Sequence, residues 1–233
     1  MKKINLILTL TLFTCLTLFF TSCSWFANEV SDKIIEKSKE KEEVKGVPYT
    51  PGTKLTPLNR EKKIELTKRI NWEVKIPAGY SEMTVSELNA IEQKGEEAMR
   101  QAGESPAKSS RTVYAAKKAD GKNSLITTLV PYNVLTDGLF SSIVTDSKMG
   151  IEQTYKAAGM PFNAVQNTIK IDDLTWNRIQ VTIYTDATKS QVLMLQNIYM
   201  ALLENQVCSI TASTTNIADN LLLTSAINNS KFR

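Results

Sequence analysis

Four strand-like stretches follow one another in the second half of the chain with no helix-length segment between them, and this run constrains the fold most. Arg178–Tyr184 is the clearest of the four. Ile179, Val181 and Ile183 alternate there with Arg178, Gln180, Thr182 and Tyr184, the period-two pattern of a strand with one buried face. Asn163–Ile171, Val192–Met200 and Val207–Ala212 show weaker forms of it. Consecutive strands joined by short connections imply antiparallel pairing rather than a doubly wound parallel sheet.

The elements before and after this run extend the reading. Ile70, Trp72, Val74 and Ile76 alternate with Asn71, Glu73 and Lys75, a strand that Pro77-Ala78-Gly79-Tyr80 ends. Thr84 with Glu87 matches a capping box, and Leu88, Ile91, Gly95, Ala98 and Ala102 recur at helical spacing up to Gly103. Strands over Thr112–Lys117 and Leu125–Val130 flank a turn at Asp120-Gly121-Lys122-Asn123. A second helix is expected over Ser147–Ala158, closed by Gly159 and Pro161, and a largely buried terminal helix from Asn216 to about Ser230. The predicted order is β-α-β-β-α-β-β-β-β-α: an α+β fold, an antiparallel β-sheet flanked by helices.

The first 22 residues have the layout of an export signal. Lys2 and Lys3 precede an apolar run from Ile4 to Phe20, and Thr21-Ser22 then lead to Cys23. That run is diluted by polar residues and too short for an ordinary spanning helix, which takes about 20 apolar residues. Phe20-Thr21-Ser22-Cys23 resembles the bacterial lipobox, with Phe20 where Leu, Val or Ile is usual. The resemblance implies cleavage before Cys23 and lipidation of Cys23, with a lipid such as palmitate making the chain a lipoprotein. Residues 23–69 read as a lipidated N-terminus and tether. Lys and Glu interleave through Glu36-Lys37-Ser38-Lys39-Glu40-Lys41, and Pro48, Pro51, Gly52 and Pro57 follow. Residues 70–233 form the expected domain, long enough for a single core.

Composition removes several chemistries. The 233 residues include no histidine, so a Ser-His-Asp triad, a Cys-His dyad and a His-ligated zinc are excluded. Residues 70–233 carry 15 Lys/Arg against 16 Asp/Glu, which argues against a nucleic-acid partner. No phosphate-cradling glycine spacing occurs among the 9 glycines. Once Cys15 leaves with the signal and Cys23 takes lipid, Cys208 is the only thiol of the mature domain. It lies in a strand-like setting and is expected to be a small buried hydrophobe. Asp172-Asp173 reads as a solvated turn, Glu96-Glu97 as helix surface, and Ser109-Ser110 beside Lys108 as a loop. No catalytic residue, metal ligand or cofactor site is expected.

Ile76-Pro77-Ala78-Gly79-Tyr80 resembles the opening motif of the PsbP-like α/β sandwich superfamily, with Tyr80 in place of the usual tryptophan. The ending Ala226-Ile227-Asn228-Asn229-Ser230-Lys231-Phe232 is similar to the family's close, and the element order agrees. In type the chain is nearest to bacterial DcrB-like envelope lipoproteins. The resemblance covers residues 70–233 and implies a non-catalytic role in binding or assembly, with other proteins as ligands. The metal role that plant members perform with histidines cannot be carried over. The resulting expectation is a non-enzymatic, lipid-anchored binding or assembly module of the bacterial cell envelope, facing the periplasm or the exterior. The alternatives are a carrier of a small apolar ligand, or a hydrolase. Expected partners are the membrane, through the lipid, and another envelope protein or a second copy.

One segment is the candidate partner surface. In Pro131–Phe140, Pro131 and Gly138 discourage regular structure, yet Val134, Leu135, Leu139 and Phe140 are apolar. Either Leu139 and Phe140 plug the edge of the core, or Tyr132, Leu135, Leu139 and Phe140 form a contact site.

Overall fold

The structure, a computed structural model, describes residues 60–90, 93 and 110–233. Cys23, the signal, the tether up to residue 59, Glu96-Glu97 and Lys108-Ser109 lie outside the described residues.

Two antiparallel sheets account for the described strands. The smaller has the order β1-β2-β10, formed by Arg60–Glu65, Asn71–Ile76 and Lys231–Phe232. The larger has seven strands in the order β3-β4-β5-β9-β8-β7-β6. They are β3 (Tyr80–Glu82), β4 (Arg111–Lys118), β5 (Ser124–Pro131), β6 (Phe162–Ile171), β7 (Leu174–Tyr184), β8 (Val192–Leu203) and β9 (Gln206–Thr214). Helices α1 (Val134–Asp137) and α2 (Phe140–Ala157) connect β5 to β6, and α3 (Ile217–Asn228) follows β9. The expected hairpins from β6 to β9 are present as antiparallel pairs, with one register shift between Ile183 and Tyr184 in the β7–β8 pair.

Each face of the large sheet has its own core. On the first face, Trp72 and Val74 of β2 and Leu223 and Ile227 of α3 meet Trp176, Tyr199, Cys208 and Ile210. On the second, α2 lays Ile143, Val144, Ile151 and Tyr155 over Ile179, Val181, Ile183 and Met200. With buried Ser147 between them, these helix positions recur at three- and four-residue spacing, the inward stripe of an amphipathic helix. Gly159, at φ 65, ends α2: its N–H bonds Lys156 O at 3.0 Å and that of Met160 bonds Tyr155 O at 3.0 Å. That pairing needs a left-handed residue, where glycine carries no Cβ penalty.

The residues behind the family resemblance at the chain's end have a physical task. The Trp72 indole N–H donates to Ser230 Oγ at 2.7 Å, and that hydroxyl donates to Ile227 O at 2.6 Å. Phe232 stacks on Trp72 and tilts against Trp176, with centroids 6.3 and 4.9 Å away. The last residues thereby close the first core.

A second clasp fixes the start of α3. Lys118 Nζ donates to both Asp219 carboxylate oxygens at 2.8 Å, and Asn216 caps the helix by accepting from Asp219 N. Burial pushes the Asp219 carboxyl up, but the bonds from Lys118 and Asn216 outweigh it and hold the carboxyl below its ordinary range. A carboxyl depressed in the folded state lends stability that is full above the unfolded pKa of about 3.9 and is lost as pH falls through the lower folded value. Asp219→Asn is therefore expected to flatten the fall in melting temperature below about pH 4. An unchanged acid limb in thermal scans would contradict this.

The structure corrects several expectations. Residues 60–69, read as tether, belong to the domain, because β1 pairs with β2 from Arg60↔Ile76 to Glu65↔Asn71. Ile64 and Leu66 are buried. The strand is hidden in the sequence because Lys62 occupies the inward register opposite Val74 and pairs with Glu82 at the sheet edge. Helix α2 begins at Phe140 instead of Ser147; Ser141, Ser142 and Thr145 are indifferent helix formers that mask its first turns. Strands β3 and β10 are too short to show a period. Asp172 is more than a solvated turn: at φ 53 between β6 and β7, it accepts from Phe232 N at 3.0 Å. The capping box is present, with Thr84 N donating to Glu87 Oε2 at 2.7 Å ahead of helix at 85–90. The terminal helix is not largely buried, since Ile217, Leu221 and Leu222 are exposed.

Candidate functional site

The segment singled out from sequence forms a short prong between β5 and α2. Asn133 caps α1 by accepting from Leu135 N at 3.0 Å, while Asn133 N donates to Asp137 Oδ2 at 2.7 Å. Thr136 Oγ1 donates to the other carboxylate oxygen at 3.0 Å. Gly138 follows at φ 78, a backbone angle that favours glycine. The Tyr132 hydroxyl reaches across the turn to donate to Gly138 O at 2.7 Å, and Tyr132 N donates to Asn205 O at 2.8 Å. The eight-residue connection between β5 and α2 is thus pinned at its start and across its middle.

The four predicted contact residues divide between two tasks. Tyr132 and Phe140 are partly buried and pack against the second core. Leu135 and Leu139 project into solvent, 90% and 65% exposed. The core-plug reading fits Phe140, and the contact reading fits Leu135 and Leu139. Val134, also exposed, joins them. Leu202 was missed: it is exposed on β8, paired in register with Val207, whose other neighbour is Val130. It therefore lies at the same end of the sheet as Tyr132. Its signal was the doublet Leu202-Leu203 before the turn at Glu204-Asn205, since alternation turns one of the two outward.

The prong is electrically quiet. Asp137 is the only charged residue between positions 131 and 145, and it is buried and consumed by the α1 cap. The exposed leucines can offer apolar contact and shape, and no acid, base or nucleophile. Elsewhere, no three His, Cys, Asp or Glu residues cluster as metal ligands among the described residues. Cys208 is fully buried in β9 and burial pushes its thiol pKa up, so it carries little thiolate. A groove of about 800 Å³ between the small sheet and α3 is lined by charged side chains with Leu222 and Ala226.

The layers define an α+β sandwich, a conclusion that stands on the strand pairing itself. Among solved structures, the chain is similar to cyanobacterial PsbP (CyanoP) from Synechocystis sp. PCC 6803. That match has a TM-score of 0.47 and 8% identity and covers 84% of this chain and 99% of the other. It is also similar to the Ran-binding protein Mog1p of Saccharomyces cerevisiae, with a TM-score of 0.36 and 12% identity over 74% of this chain and 95% of the other. No family model matches the chain, and no curated protein does.

Proposed function

We propose that this chain is a non-catalytic binding or assembly module of the bacterial cell envelope, held by lipid on Cys23 and of the DcrB-like lipoprotein type. The observation that carries the binding role is the prong. Three apolar side chains, Val134, Leu135 and Leu139, are presented to solvent on a turn whose backbone is fixed by hydrogen bonds. Rigid apolar groups lose little conformational entropy on docking, which favours their use as interface anchors. Residues 131–145 expose no charged side chain, so the complementary surface is an apolar cleft of another envelope protein. The lipobox resemblance at Phe20-Thr21-Ser22-Cys23 supports the anchor.

Two experiments test the halves separately. Leu135→Asp with Leu139→Asp is expected to leave the melting temperature unchanged and to abolish co-purification of the partner from detergent-extracted envelopes. Phe140→Asp, in contrast, is expected to lower stability, because it puts a carboxylate against the second core. A double variant that keeps its partner defeats the binding proposal. For the anchor, Cys23→Ala is expected to leave an uncut precursor or release the protein from membranes. A mature chain that starts elsewhere and carries no acyl mass would refute lipidation.

A further inference from the structure

The outer surface of the layer on the first face joins two unlike parts. One is α3, which is apolar on two sides. Leu223 and Ile227 enter the first core, while Ile217 and Leu221 are 64% and 63% exposed and Leu222 is also exposed. A surface helix ordinarily keeps one apolar stripe and a polar opposite face; a second stripe marks something it is built to meet. The other part is the outer face of β1-β2-β10. Positions 60–76 and 231–233 carry eight Lys/Arg against three Asp/Glu, whereas the other described residues carry nine against eleven. The excess positive charge of the described domain is therefore concentrated in its smaller sheet and the turn at Lys68-Arg69. Lys63 and Lys75 are well exposed and pair across the sheet with Glu73 and Glu61, and Lys231, also opposite Glu73, shares their face, so the lysines outnumber the acids they meet. The groove between helix and sheet, lined by Lys63, Lys75 and Lys231 with Glu61, Glu73 and Leu222, makes the two parts one surface.

We infer that this surface docks on an anionic bilayer, with Ile217, Leu221 and Leu222 entering the interface and the lysines and arginines of the small sheet lying among the headgroups. Apolar insertion beside a cationic rim is the combination that binds a protein to an anionic membrane surface. Charge decides against a second copy as occupant, since two copies would press two net-positive sheets together. The chain also enters the domain through β1, so an anchor upstream feeds into the docking layer itself. The prong belongs to the connection that leads into α2, on the other face of the large sheet. The inference rests on the envelope reading only for the nearness of a bilayer, and not on acylation of Cys23.

The test uses the full chain with Cys15→Ser and Cys23→Ser, so that no acyl group is present. A single reactive cysteine is introduced by Ile217→Cys, Leu221→Cys or, as control, Leu135→Cys, and labelled with an environment-sensitive fluorophore. Cys208 is buried and stays unlabelled. The apolar run from Ile4 to Phe20 can hold every variant on vesicles, so the label reports orientation rather than recruitment. On phosphatidylcholine vesicles containing phosphatidylglycerol, emission from positions 217 and 221 is expected to shift to the blue and to be quenched by nitroxide lipids. Position 135 is expected to stay aqueous. The shift should shrink on pure phosphatidylcholine, in high salt, and on replacing Lys63, Lys75 and Lys231 by Gln. Aqueous emission at both 217 and 221 on anionic vesicles, or an equal shift at 135, overturns the inference, as does a shift indifferent to salt and lysine removal. Failure of acylation in cells would overturn the anchor alone and leave this readout untouched.

Discussion

Trp72→Ala is expected to cost about 3–5 kcal/mol of folding stability, the usual range for deleting a fully buried aromatic side chain. Trp72 is inaccessible to solvent and sits where three parts of the chain converge. Its ring stacks on Phe232, meets Tyr114 edge-on at 6.2 Å, and donates its indole N–H to Ser230. Alanine leaves a cavity between the two sheets and removes the surface on which β10 and the end of α3 close. Against a typical total of about 5–15 kcal/mol, such a loss is a large fraction of the stability. Trp72→Phe is expected to cost less, since it keeps a ring but gives up the bond to Ser230. Urea unfolding measures both, and a loss below about 1 kcal/mol for the alanine variant would show that the small sheet is not part of the core.

The second large effect concerns β1. Deleting residues 24–59 is expected to leave the melting temperature unchanged, because it keeps every pair of β1 with β2, from Arg60↔Ile76 to Glu65↔Asn71. Extending the deletion through residue 66 removes Ile64 and Leu66, whose burial is worth roughly 1.5–3 kcal/mol each. It also strips β2 of the partner that faces it along six residue pairs. What remains of the small sheet is β2 with the two-residue β10, too little to cover the first face. The longer deletion is expected to unfold the domain or to lower its melting temperature sharply. Equal midpoints for the two deletions would return these residues to the tether.

Those deletions mark the boundary of what could be read from the sequence. Strand β7 was legible because Ile179, Val181 and Ile183 are buried and alternate with half-exposed polar neighbours, whereas β8 and β9, covered on both faces by the two cores, show the alternation only weakly. Strand β1 was not legible, because Lys62 occupies its inward register and is satisfied by an ion pair that only the folded chain supplies. The start of α2 was masked by serines and threonines whose helix preference is weak, although Ile143 and Val144 already pack on the sheet. Of the prong, the apolar content of Pro131–Phe140 was visible, and its tendency to expose Leu135 was one of two open readings. The choice between them depended on Tyr132 and Asp137, whose hydrogen bonds cross the turn and turn the leucines outward. Leu202 and the outward stripe on α3 were invisible for a related reason. An apolar residue in a strand or helix pattern reads as buried until the neighbouring layers are placed.

The central claim is that the prong, and not some other exposed apolar residue, meets the partner. Site-specific photocrosslinking in the native envelope addresses it directly. A photoreactive amino acid is placed in turn at Leu135, at Leu139, and at Val165, which is exposed on the edge strand β6. A discrete adduct of one mass from positions 135 and 139, with none from 165, is the result the account predicts. Adducts only from 165, or none from either leucine while the protein remains folded in its membrane, would contradict it.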